Sequence, residues 1–128
     1  DTFAQALNRY KLPGVLFYPF RFRPVGSSFS GKPCKGVLIR ITNRRTFLPV
    51  TTQYALMSVL REQYPKELLA SLRELKARPL SFFKACGTHL IYDILEKEEH
   101  PFAKLCEIHA SERQKFILAR KKYLYNEY

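Results

Sequence analysis

The feature that most constrains this chain is a change of hydrophobic period in its first third. Val15 to Arg23 is β-rich, and from Phe20 onward apolar and basic residues alternate. Alternation resumes from Gly36 to Thr42, with Val37, Ile39 and Ile41 on one side. A period of two places successive side chains on opposite faces, as in a strand with one buried face. Between these segments, Pro24 to Pro33 contains Gly26, Ser27, Ser28, Ser30 and Gly31, too many turn formers for regular structure. The two strands are expected to pair or to lie close together. Pro19 cannot donate to a ladder, so an edge or a bulge is expected there.

The rest of the chain reads as helical. Phe3, Leu7 and Tyr10, with Ala6 between them, predict a first short helix behind Asp1 and Thr2, punctuated by Leu12-Pro13-Gly14. Asn43-Arg44-Arg45 is a polar turn. Thr51 or Thr52 is the expected cap of a second helix carrying Ala55, Leu56, Val59 and Leu60. Pro65 discourages helical geometry at Tyr64 and opens a third helix, with Leu68, Leu69, Leu72 and Leu75 as its stripe until Pro79. Leu80 to Phe83 reads as a short strand. Gly87-Thr88 introduces a helix with Leu90, Ile91, Ile94 and Leu95 on one face. Pro101 starts a last one carrying Phe102, Leu105, Cys106, His109, Phe116 and Ile117. The predicted class is α+β, a small mixed or antiparallel sheet packed by about four to five helices. At 128 residues with 46% hydrophobic content, residues 1–128 fit one domain with a proper core.

The formal charge is +11, from 22 Lys and Arg against 11 Asp and Glu. Such a surface attracts anions, whether nucleic acid, anionic membrane or acidic glycan. No apolar run is long enough to cross a bilayer. The chain opens Asp-Thr-Phe with neither an initiator Met nor a signal peptide, as a processed chain or a piece of a larger protein would. Cys34, Cys86 and Cys106 are widely spaced without a CxxC pair, so they read as buried thiols and not as a zinc knuckle or a disulfide framework.

Candidate chemistry is sparse. Cys86 and His89 are three residues apart, but nothing in sequence supplies an orienting third group. His109 falls on the apolar seam of the last helix, and His100 sits in a turn with Glu98 and Glu99, so structural roles are expected for all three histidines. Asp93 lies off the apolar face of its helix, while Glu96, Glu98 and Glu99 form a solvated run and Glu62, Glu67 and Glu74 read as surface pairs with Lys and Arg. No acid/base couple for glycoside chemistry emerges, and no catalytic residue, metal ligand or cofactor is assigned. The basic residues carry more: Arg21, Arg23, Lys32, Lys35, Arg40, Arg44 and Arg45 all belong to the strand-loop-strand unit. If the strands pair, Arg40 joins Arg21 and Arg23 on a positive face or rim, beside loop amides and hydroxyls suited to oxyanions. The competing reading is a solvated strand face. Arg120-Lys121-Lys122 suits the dipole at a helix C-terminus.

The spacing of several motifs resembles a known family. Leu12-Pro13-Gly14-Val15, Phe22 with Pro24, Cys34 with Gly36 and Val37, and Phe47 with Pro49 and Val50 occur here in the order seen in the second half of NamZ-type exo-β-N-acetylmuramidases. Gly87-Thr88 before a helix and the closing RKKYLYNEY are similar too. Lys35 departs from the pattern, standing where it has a small residue. The resemblance implies the smaller C-terminal domain of a two-domain peptidoglycan glycosidase. The larger Rossmann-like domain, which carries the catalytic glutamate in that family, is not within these residues. It further implies an upstream catalytic domain as partner, a muropeptide or other anionic glycan as ligand, no cofactor and no membrane role. A periplasmic or extracellular location would follow if the parent carries a signal peptide. The expected substrate-binding residues are Arg21, Arg23, Ser27, Ser28, Lys35 and Arg40, in a domain inert on its own. The alternative is a polyanion or RNA-binding module using the same basic strands, with nucleic acid ranked second; a pure interaction domain is a third reading.

Overall fold

The computed structural model describes residues 2–26, 29–77 and 82–125. Its sheet is the expected antiparallel pair, β1 (Val15–Phe22) and β2 (Cys34–Ile41), in an unbroken register from Val15 opposite Ile41 to Phe22 opposite Cys34. With two strands in the sheet among the described residues, both are edges, which is how Pro19 is accommodated without a bulge. The register sorts the side chains. Val15 and Phe17 face inward and are buried, while Leu16, Tyr18, Phe20 and Phe22 face outward and remain exposed.

Alternate residues of an antiparallel strand turn their amide and carbonyl away from the partner. At Phe17 those groups are met by Asn8 of α1 (Thr2–Arg9): its Nδ2 donates to the Phe17 carbonyl at 2.8 Å, and the Phe17 N–H donates to its Oδ1 at 3.0 Å. One side chain thus stands in for a neighbouring strand and docks α1 onto the sheet. Gly14 makes the turn between them with φ +71°, and its carbonyl accepts from the amides of Thr42 and Asn43 at 2.9 and 3.3 Å.

The helices are α2 (Pro49–Gln63), α3 (Pro65–Ala77), α4 (Phe82–Cys86), α5 (Leu90–Lys97), α6 (Phe102–Glu107) and α7 (Ala110–Arg120), followed by a 3-10 turn at Lys121–Tyr123. The class is α+β, as expected. Two apolar clusters share α2 as a wall. Ala55 and Val59 meet Ala4, Leu7, Val15 and Phe17 in the first. In the second, Tyr54 and Met57 pack against Leu72, Ile91, Tyr92, Leu95, Leu105 and Ile108.

Several local expectations differ from the structure. Helix α2 begins at Pro49, whose missing N–H suits the first turn, and Thr52 is buried inside it with its hydroxyl donating to the Leu48 carbonyl at 2.8 Å. Phe82 starts α4 and is not in a strand; Leu80 and Ser81 lie outside the described residues, as does the side chain of Leu75. The helix expected from Pro101 breaks at His109, whose φ is +54°, and this left-handed residue is exposed beside Glu112 at 3.8 Å instead of sitting in an apolar seam. Beyond the break α7 buries none of its residues, so Phe116 and Ile117 are exposed and not core. The thiols are half-buried and unpaired, and Cys34 donates to the Lys32 carbonyl at 3.6 Å. Glu62 meets His100 Nδ1 at 3.1 Å and Tyr10, in place of a Lys or Arg.

Tyr10 gives this core a pH dependence. Its ring lies 4.3 Å from that of Phe102, and its hydroxyl donates to Glu62 Oε1 at 3.5 Å. Burial first, and then the carboxylate of Glu62, push the phenol up to about 12. An unfolded tyrosine ionises near pH ~10. Between those two values the unfolded chain holds fewer protons than the folded one, so stability falls as pH rises through the window. The expected result is a urea midpoint that declines across it, and declines less steeply in Tyr10→Phe. Equal slopes in the two proteins would assign the effect to other groups.

Candidate basic cleft wall

The pairing register decides which cations meet. Arg21 stands directly opposite Lys35 on one face of the sheet, near the end where the strands leave the core. With Arg23, Phe22, Pro33 and Cys34 they line an open concavity of about 430 Å³. Arg21, Arg23 and Lys35 are all exposed. Like charges placed directly across a strand pair are destabilising unless something neutralises them. Among the described residues the ion pairs are His100–Glu62, Lys104–Glu98 and His109–Glu112, so none of the three cations has a carboxylate partner there.

Arg40 is not brought into this group. It is opposite Leu16, on the other face and near the other end of the strands, because it lies five positions, an odd offset, from Lys35. Ser27 and Ser28 lie outside the described residues. The loop groups expected to bind oxyanions are in part already used. The Ser30 hydroxyl donates to the Val25 carbonyl at 2.9 Å, and the Gly31 amide to the Pro24 carbonyl at 2.8 Å. Gly31, at φ +72°, allows the turn in which its amide reaches the Pro24 carbonyl.

A second concavity adjoins the first across Lys35, which lines both. It measures about 490 Å³ and is bounded by Thr2 and Phe3 of α1, Gly36 and Val37 of β2, and Leu56, Leu60 and Tyr64. Spacing groups Leu56 and Leu60 with Ala55 and Val59 on one helix. Periodicity identifies the apolar face of α2, but it does not show where the hairpin stops covering that face.

Nucleophilic chemistry finds no support at Cys86 or Cys106. Burial pushes both Cys86 and Cys106 up, away from the reactive thiolate. Among the described residues no cluster of His, Cys, Asp and Glu has the makings of a metal site. Arg113, beside a third concavity at the start of α2, is engaged by the carbonyls of Ile108 and Cys106.

This α+β arrangement is similar to part of a crystal structure of a DUF1343 family protein from Bacteroides fragilis. The TM-score is 0.51 at 28% identity, over 54% of this chain and 18% of that one. The sequence gives the finer assignment: residues 1–125 match the family described as exo-beta-N-acetylmuramidase NamZ, C-terminal, and the chain belongs to that family. A curated relative, the peptidoglycan beta-N-acetylmuramidase NamZ of Bacillus subtilis (strain 168), is 30% identical over 122 residues, 94% of this chain. The chain spans 27% of that relative's length.

Proposed function

We propose that this domain forms the substrate-side wall of an exo-β-N-acetylmuramidase-type peptidoglycan glycosidase. In that role it contributes shape and positive potential to a cleft whose acid/base groups belong to a separate catalytic domain. One observation supports the reading above others: Arg21 and Lys35 face each other beside Arg23, with no acidic partner among the described residues. Muramic acid carries a lactyl carboxylate, and a guanidinium fork binds a carboxylate in bidentate fashion. The ligand on this reading is a muropeptide or another anionic glycan. The partner is the catalytic domain, and the isolated domain is inert.

In an enzyme assembled with this domain, Arg23→Ala is expected to raise KM for muramyl substrates about tenfold and leave kcat within about twofold, the pattern of a lost binding contact. An unchanged KM would remove Arg23 from the site. One observation favours a second reading: Phe20 and Phe22 are exposed and stacked, with centroids 5.8 Å apart, on a strand that also carries Arg21. Aromatic rings among cations can stack the bases of a single strand of RNA. Retention on RNA with a steep salt slope would favour that module over the glycan wall.

A further inference from the structure

We propose that the basic concavity and the apolar hollow beside it form one bipartite site for an amphipathic monocarboxylate. The carboxylate lies between Lys35 and Arg21, and a medium-length hydrocarbon chain fills the hollow. This ligand class goes beyond the sugar acid proposed above and competes with it for the same two cations.

Three observations carry the inference. The hollow is large enough, since small-molecule sites span roughly 300–1,000 Å³ and this one measures about 490 Å³. Its walls are mainly apolar, with Phe3, Val37, Leu56, Leu60 and Tyr64 against Thr2 and Lys35. Leu60 and Tyr64 line it while 36% and 45% exposed, so a hydrocarbon chain laid there removes apolar surface from water. Lys35 lines both concavities, which puts a cation at the junction where the polar head of such a ligand would emerge.

Two other concavities among the described residues lack this combination. The one at Ala6, Arg9 and Tyr10 contains the Glu62 carboxylate, which repels an anion. In the one at the start of α2, the guanidinium of Arg113 already serves two backbone carbonyls. No acidic residue lines either part of the proposed site among the described residues.

The test is calorimetric titration of the chain with decanoate, butyrate and decanol, each below its aggregation threshold. Decanoate is expected to bind at least about tenfold more tightly than butyrate, because the added methylenes leave water. It should also bind about fivefold or more tightly than decanol, which lacks the charge. Lys35→Ala is expected to remove the advantage over decanol, and Leu60→Asp the advantage over butyrate. Both positions are exposed, and thermal melting verifies that each variant is folded. Equal affinity for decanoate and butyrate overturns the proposal. So does a chain-length preference that survives in folded Leu60→Asp, or a charge preference that survives in folded Lys35→Ala.

Discussion

Gly14→Ala is expected to lose about 2–5 kcal/mol of folding stability, the sum of two separate penalties. The first is conformational. Gly14 has φ +71°, a region that places an L-residue's Cβ against its own backbone at about 1–2 kcal/mol. The second is steric. A Cβ built there would collide with the carbonyl oxygen of Asn43 and stand 2.7 Å from Thr46 Oγ1 and 2.8 Å from the Phe47 nitrogen. Two of those three atoms are backbone, so relief requires moving the turn after β2 away from the start of β1. The same turn holds the Gly14 carbonyl through Thr42 and Asn43, so displacing it also weakens those bonds. Urea unfolding of the two proteins measures the difference. A loss below about 0.5 kcal/mol, the range of ordinary surface substitutions, would mean that the turn relaxes freely.

Leu105→Ala tests the other half of the molecule. Leu105 is fully buried in α6, among Leu72, Ile91, Tyr92, Leu95 and Ile108. Truncating a buried leucine removes its transfer free energy and leaves a cavity, and such changes cost about 2–5 kcal/mol. Because α2 walls both clusters, the loss is expected in a single unfolding transition and not in a separate event confined to the C-terminal half. The basic concavity is built on the hairpin, whose inner face packs on the first cluster. The carboxylate binding proposed at Arg21 and Lys35 is therefore expected to persist in folded Leu105→Ala. Two distinct transitions, or loss of both properties together, would contradict this division.

The strand pair, the punctuation at Gly14 and the helix boundary at Pro65 were legible because each follows from local chemistry: period-two alternation, backbone conformational freedom, or a missing amide. Arg21 and Lys35 were legible as cations of one unit, but their juxtaposition needed the pairing register. A strand pattern fixes faces only within its own strand, and for that reason Arg40 was grouped with residues from which the register separates it. The break at His109 had no local signal, because neither Gly nor Pro stands there and the flanking residues continue a helical pattern. Exposure of Phe116 and Ile117 was hidden for a related reason: periodicity reports that a helix has an apolar face, and it is silent on whether anything within the chain covers it. The hollow beside Lys35 is a gap between elements, and gaps leave no mark on sequence.

Among the described residues no further strand pairs with the outer side of β2. An unpaired strand edge is an invitation for another copy to add itself to the sheet, and folded proteins commonly answer it with charge. Lys35 and Arg40 stand on opposite faces of that strand, so each face of the edge carries a cation. A second copy adding to this edge would meet positive charge above and below the sheet, so neutralising both Lys35 and Arg40 is expected to make such association easier.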